Sequence, residues 1–576
     1  MKKILQPSIQ VLIGYKDVYD DYESVNVHSL LNGIPTLPIL HFISGELMKV
    51  AYAFSDPITN KQQVRDIAHY LPKERKKKVW DFARRHACSA YETYGTSLLY
   101  GLALMNHLPM EAEEDCLDLC ENEQEPVFKA LLYCNQRWTD ESFPPEGTTI
   151  PQKSILVDLP IVEFKTYKDF LSQLFKVCQF FVFCEHDATF KNYLPDYYKS
   201  VGVSDWRDYV RRILAFYIPT LKNRYIRLTD GLEYHSAFFD NYSIDTTSVP
   251  QNLWDGHKAL NYFRDHFLYK VSDDIYLILN PNFLVDKLYQ GLRFEFGRMV
   301  VKKKLLASTG KPYKDLADFN SVIGTVFSEP HLLYTLLKKV YADKRATLFT
   351  GQYLKDNGVK AEPDSYLRID NSLFLFEFKD VTMNDDVKYS NDIGKIKSAL
   401  LDKICRLNPT PKGAGQLRNT IEQIFDNGVM DKLDHDVRSV KKVYQIIITT
   451  DRSYSAIGIS NMLEELYWDM LKEKPLGKTT PFVSIPIIIE FDTLFKLAYR
   501  LHIGKLNLDS LLWEYFNLNE QSLSPFASFI EDFHKLKKKD PNEINFLLGD
   551  VIPELIQDIN LHKSPPAYWA GRLELK

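Results

Sequence analysis

Three ionisable residues sit where an apolar pattern would exclude them. Pro363-Asp364 precedes a run that reads as a strand, Ser365–Ile369, and Glu377-Phe378-Lys379 closes the next run, Ser372–Lys379. Side chains two apart on a strand share a face, so Glu377 and Lys379 project together while Phe374, Phe376 and Phe378 face the opposite, core side. Ionisable groups at the end of a Leu-Phe-Leu-Phe strand are costly to bury without partners. The partners expected here are a metal ion or a phosphate.

Other arrangements capable of chemistry fall short. The sequence has no Gly-x-x-x-x-Gly-Lys-Ser/Thr loop for nucleotide phosphates, no Gly-x-Ser-x-Gly elbow and no His-Glu-x-x-His. Seven cysteines spread over 576 residues are too few for a disulfide scaffold, and their odd number agrees with a reducing compartment. The one close pair, Cys116 and Cys120, lies in Glu111–Glu125, which holds eight acidic residues and no basic one. Cys134 and His107 could complete a zinc site, but the spacing matches no standard zinc module, and an acidic surface loop is the simpler reading. In Cys184-Glu185-His186 neighbouring side chains on a strand would diverge, so the triplet makes no ready dyad.

The elements that must position Asp364, Glu377 and Lys379 follow from periodicity. Asp370-Asn371 tolerates positive φ, so the two strands read as a β-hairpin. Ahead of it, Leu332, Leu333, Leu336, Leu337, Val340 and Tyr341 form one helical stripe within Val322–Tyr341, and Ala346–Leu354 reads as a first strand. After it come a helix at Gln416–Phe425, a buried strand at Val443–Thr450, a helix at Asn461–Leu471 and a strand at Val483–Glu490. That order is α/β. Residues 1–270 read as a mainly helical region, broken by a short strand at Ser154–Val162. Residues 271–320 read as a helical connector, 321–495 as the α/β unit and 496–576 as a helical end.

On these residues the chain resembles the PD-(D/E)xK nuclease superfamily, whose signature is Pro-Asp, a variable gap and Glu-x-Lys on a hairpin. Many members follow it with a Gln-bearing helix, similar to the one opened here by Lys412-Gly413-Ala414-Gly415-Gln416-Leu417. The resemblance implies an α/β restriction-endonuclease-like core, a mixed sheet flanked by helices, embedded in a large, mainly α-helical chain. It implies Mg²⁺, with Mn²⁺ as substitute, held by Asp364, Glu377 and the backbone carbonyl of Phe378, because hard divalent ions take oxygen donors. Lys379 would orient or help deprotonate the attacking water and offset charge on the phosphate. Gln416 would touch the phosphate or that water. The family often adds an acidic ligand from the preceding helix, here Glu329, with Glu295 as its substitute. Pro330 follows Glu329 directly, and Ser328 as N-cap would place it in the first turn, where a missing N–H costs little. The implied activity is a Mg²⁺-dependent endonuclease acting on phosphodiesters, with DNA the expected substrate.

A chain of net charge −5, from 71 Lys and Arg against 76 Asp and Glu, must hold a polyanion through local charge. From Lys388 to Arg418 seven basic residues (Lys388, Lys395, Lys397, Lys403, Arg406, Lys412, Arg418) face two acidic ones, a balance of about +5 that would overhang the cleft and meet phosphates. Lys73–Arg85, with seven basic and two acidic residues, reads instead as the solvated face of a helix whose stripe is Val79, Trp80 and Ala83. With 45% hydrophobic and 26% charged residues and no apolar run near the roughly 20 residues a membrane span needs, the chain is expected to be folded, cytoplasmic and free of membrane. A nuclease core inside a long helical chain resembles anti-phage effectors. Its helical region would then sense a phage or partner protein, and a homodimer is an open option. The alternatives are a nucleic-acid- or partner-binding module with an inactive nuclease-like core, and a repair or mobile-element nuclease.

Overall fold

A computed structural model describes residues 11–53, 68–69, 71–86, 88–109, 118–165, 168–220, 224–228, 236–254, 257–342, 345–519, 523–534 and 541–549. Helices dominate its first half, among them Thr36–Ala53, Lys73–Arg85, Thr93–Met105, Glu121–Glu141, Phe170–His186 and Trp206–Thr220. Among the described residues no helix is long and apolar enough to cross a membrane. The expected strand at Ser154–Val162 is instead a helix, Ile150–Asp158. Its end signals outweigh its β-branched residues: Thr149 and Gln152 cap each other's backbone N–H groups, and Pro151 sits in the first turn. The helical region also holds an antiparallel three-stranded sheet, ordered Tyr225–Arg227, Ile275–Ile278, Leu268–Ser272, which the periodicity did not announce. Cys184-Glu185-His186 ends a helix rather than lying on a strand.

The larger sheet is mixed and six-stranded. Its order is Phe482–Val483, Lys442–Thr449, Ser372–Lys379, Ser365–Ile369, Ala346–Thr350, and Ile487–Glu490 also pairs Lys442–Thr449. The hairpin is antiparallel, with Ser365 opposite Phe376, and turns on Asp370 at φ 49°. Lys442–Thr449 runs parallel to Ser372–Lys379, placing Glu377 beside Ile447 and Lys379 beside Thr449. The expected strand Val483–Glu490 splits in two around Ser484-Ile485-Pro486, because proline cannot donate to a ladder.

Alternation divides the core. Phe374, Phe376, Phe378, Tyr444, Ile446 and Ile448 enter one apolar cluster that continues through the N-terminal helices and reaches from Ile13 to Leu548. Leu373, Leu375, Tyr366, Val443 and Ile447 enter a second cluster, closed by Leu417 and Ile421 of the helix Ala414–Phe425 and by Leu463 of Ile459–Glu473. A sheet buried on both faces reads as near-continuous apolar runs. The first cluster does not part at residues 270, 320 or 495.

The helix before the first strand begins earlier than expected. Asp315 caps Leu316–Ile323, which passes without interruption into a π-helical stretch, Gly324–Tyr334, and then into Thr335–Tyr341. Pro330 therefore lies inside a helix and Ser328 is no N-cap. The wider π turn accommodates a ring that in an α-helix would strike the carbonyl of residue i−4.

Candidate active site

The end of the hairpin builds the site. Beyond Ser365 the partner strand stops, and the freed Phe378 N–H donates to Asp364 Oδ2 at 2.6 Å. N–H and C=O of one strand residue point the same way, so the Phe378 carbonyl also faces the Asp364 side. Gly351 sets the height of Asp364: its N–H donates to the Asp364 carbonyl at 2.9 Å, and a Cβ there would lie 2.7 Å from the Pro363 carbonyl oxygen. Glu377 and Lys379 emerge on the Leu373–Leu375 face, where Lys379 Nζ donates to Glu377 Oε1. Glu377 is 1% exposed and its Oε2 has no hydrogen-bond partner. The Lys379 side chain keeps 17% of its surface against 1% for Glu377, so of the two it is the residue an incoming molecule reaches.

One ammonium serves several carboxylates. Burial pushes Asp364 up to about 6, against the pull of Lys379 and of the Phe378 N–H. Burial and the neighbouring Asp364 hold Glu377 well above the carboxylate range. Burial, then Asp364, pushes Glu329 up to about 8. Burial alone would lower Lys379, but Glu377 and Asp364 more than offset it and hold the ammonium above its ordinary value. The structure thus brings Glu329, Asp364, Glu377 and Lys379 within mutual electrostatic reach, and Glu362 adds to the charge around Asp364.

Excess negative charge around an orphaned carboxylate oxygen fits a divalent cation. Among the described residues no three His, Cys, Asp or Glu side chains stand close enough to hold an ion together. Magnesium asks for less, since it keeps several waters and is commonly held by one or two carboxylates. Asp364, Glu377 and the Phe378 carbonyl fit that smaller set. Cys120 is exposed, Cys134 is buried, and Cys116 lies outside the described residues. No family model, no curated protein and no solved structure matches this chain.

The remaining candidates divide. Gln416 reaches the site's edge, where Nε2 donates to the Glu362 carbonyl at 3.4 Å. Its helix stands there because Gly413, at φ 55°, lets the chain pass against Ile404, whose carbonyl oxygen would be 2.0 Å from any Cβ. Glu295 belongs elsewhere, receiving the Tyr242 hydroxyl at 3.4 Å near Lys287. Lys395 is exposed on the helix Ile393–Ile404, and Lys397 and Lys412 are partly so, with Lys397 no nearer than 4.0 Å to Glu465. Lys403 donates to the Thr382 carbonyl at 2.7 Å, and Arg406 pairs with Asp402 at 2.5 Å.

Two of the expected phosphate contacts are corrected outright. Lys388 is 6% exposed and pairs with Glu163 at 3.0 Å; Arg418 is 1% exposed and donates to the Lys474 and Pro475 carbonyls and to Glu422. Cations buried this deeply and held by carbonyls and carboxylates are out of reach of a phosphate backbone. On the other basic helix, Arg75 and Lys78 are paired with Asp20 while Val79 and Phe82 are buried.

Sequence reasoning missed what stands behind the site. Asp380 follows Lys379 and accepts from Arg293 at 2.5 Å, from Thr450 at 2.5 Å and from Ser328. Burial would raise its carboxyl, and Arg293 with the two hydroxyls holds it below the ordinary range instead. A second missed group is Thr449, fully buried beside Lys379 with its hydroxyl unpartnered. The available signal was the third charged residue in Glu-Phe-Lys-Asp, where an apolar strand should already have ended.

Proposed function

We propose that this chain is a metal-dependent nuclease with a restriction-endonuclease-like core, hydrolysing phosphodiester bonds in nucleic acid, DNA in preference to RNA. The observation that carries the reading is the meeting of Asp364, Glu377 and Lys379 at the open end of one hairpin, with a carboxylate oxygen left unpartnered. Asp364, Glu377 and the Phe378 carbonyl would hold the ion, and the Glu329 carboxyl, which feels the charge of Asp364, would add its negative charge from further out and strengthen the ion's binding. A bound divalent ion supplies Lewis acidity to the phosphodiester and to a water beside it. Asp364 is kept in place by the Phe378 N–H, so its other oxygen stays open. Lys379, steered by Glu377, meets the phosphate, offsets the charge gathering on its oxygens and orients the water for in-line attack. The water oxygen bonds to phosphorus and releases a proton to solvent, the opposite P–O ester bond breaks, and the departing oxygen takes up a proton from solvent. A phosphomonoester and a free hydroxyl result, and no protein nucleophile is consumed. Lys395, Lys397 and Lys412 are the cations that would track the phosphate backbone.

The test incubates the purified chain with plasmid, linear DNA and RNA in Mg²⁺, Mn²⁺ or EDTA, beside Lys379→Ala. Cleavage by the wild type in either metal, absent in EDTA and in the variant, supports the reading. A wild type inert toward all three substrates overturns it.

A further inference from the structure

We propose that Asp380 is the positioning residue of this site, the buried anion that fixes Lys379 and Glu329 relative to each other. The inference rests on the nuclease reading and adds to it the group that holds the site's geometry. Four elements meet at this one carboxylate. Arg293 arrives from the helix Gln290–Lys302, Ser328 from the π-helical stretch, Thr450 from the end of Lys442–Thr449, and Asp380 itself leaves the strand of Glu377 and Lys379. Each of the three partners bonds that carboxylate, and Arg293 Nε is left without a partner. Ser328 and Arg293 share Oδ2, and Thr450 takes Oδ1.

The consequences run along the backbone in three directions. Ser328 precedes Glu329, so its bond sets the turn that aims the Glu329 carboxyl toward Asp364. Asp380 follows Lys379, so its anchoring fixes where the strand ends and hence where the ammonium stands. Thr450 follows Thr449, which lies beside Lys379 in the parallel register. Arg293 supplies the counter-charge that lets an ionised carboxylate stay buried there. Both oxygens of the buried Asp380 carboxylate are already engaged by the protein. It acts through its neighbours, as outer partners of metal ligands do.

Ser328→Ala removes one bond to Asp380 while leaving the Arg293 pair in place, and Thr450→Val, at a partly exposed position, removes another. Three measurements are made on each full-length variant: Mn²⁺ binding by calorimetry without substrate, the Mg²⁺ concentration for half-maximal cleavage, and the thermal melt in EDTA. The expected result, carried by the displaced Glu329 carboxyl, is a weakening of Mn²⁺ affinity and a rise of the Mg²⁺ midpoint by about tenfold, with the variants still folded at the assay temperature. A lowered melting temperature with unmoved Mn²⁺ affinity and Mg²⁺ midpoint makes Asp380 a structural anchor only and overturns the proposal while the nuclease reading stands. A wild type that neither binds Mn²⁺ nor cleaves overturns both. Should Ser328→Ala fail to fold, Thr450→Val decides between the same outcomes.

Discussion

The Asp364 carboxyl stands at about 6 against an ordinary 3.8, so the folded chain binds its proton more tightly than the unfolded chain does. Metal-free stability is therefore fullest below about pH 4, falls as pH rises to about 6 and stays reduced above it. Asp364→Asn, which keeps an oxygen for the Phe378 N–H, should raise the stability of the metal-free protein at pH 7.5 by about 1–3 kcal/mol, from roughly two units at 1.36 kcal/mol each. Thermal melts in EDTA check this. In saturating Mg²⁺ the order should reverse, because only the wild type gains from binding. A variant that melts below wild type in EDTA would refute the claimed repulsion. Lys379→Ala should keep or tighten Mn²⁺ affinity, since a cation beside the ion is removed, and lose about two or more orders of magnitude in turnover. Calorimetry and single-turnover cleavage separate the two effects, and joint loss would mean that Lys379 only holds Glu377 in place. At this scale the sequence was legible where neighbours in the chain are neighbours in space: Glu377, Phe378 and Lys379 lie on one strand. It was mute for Asp380, whose charge partner Arg293 is 87 positions away.

The hairpin could be read because its alternation, its two-residue turn and its two buried faces all agree. The helix Lys73–Arg85 could be read as an element, but of the expected stripe only Val79 is buried, Phe82 joins it, and Trp80 and Ala83 stay half-buried. Ser154–Val162 could not, because β-branched residues suggested extension while the deciding groups, Thr149 and Gln152, lay outside the run. Pro330 pointed to a helix start only under the assumption of α geometry, which the π turn removes. The helix Ile393–Ile404 turns Ile396, Leu400 and Ile404 inward, so its charges divide by exposure rather than by count. Replacing Lys395, Lys397 and Lys412 with Gln should flatten the dependence of log affinity on log salt by up to about three phosphate contacts, whereas Lys403→Gln should leave the slope unchanged. Fluorescence anisotropy with a labelled duplex in Ca²⁺, from 50 to 300 mM salt as a rough span, measures it. Equal slopes for all variants would assign the helix to a solvated surface.

Across the whole chain, the alternation of helices and strands in residues 321–495 marked the part that holds the larger sheet, but hydrophobic patterning cannot show which chain segments share a core. Phe175 stacks on Phe491 at 6.4 Å, and Asp492 accepts from Ser172, Gln173 and Lys176 at 2.6, 2.9 and 2.7 Å. Residues 321–495 expressed alone would leave Asp380 without Arg293, Lys388 without Glu163 and Asp492 without Lys176. Each broken buried pair costs about 3–5 kcal/mol, so three together, about 9–15 kcal/mol, are as large as the stability of about 5–15 kcal/mol typical of a domain. The fragment should show no cooperative melt by circular dichroism; a sharp transition would refute this dependence. The stretch of residues 321–495, hairpin included, is thus no portable cassette. Recombination that moved it into another gene would deliver three buried charges whose opposites stayed behind, 87, 225 and 316 positions upstream of their partners. Inheritance has to carry both halves together, and drift at Arg293, Glu163 or Lys176 is held in check by residues in a distant stretch of the same reading frame.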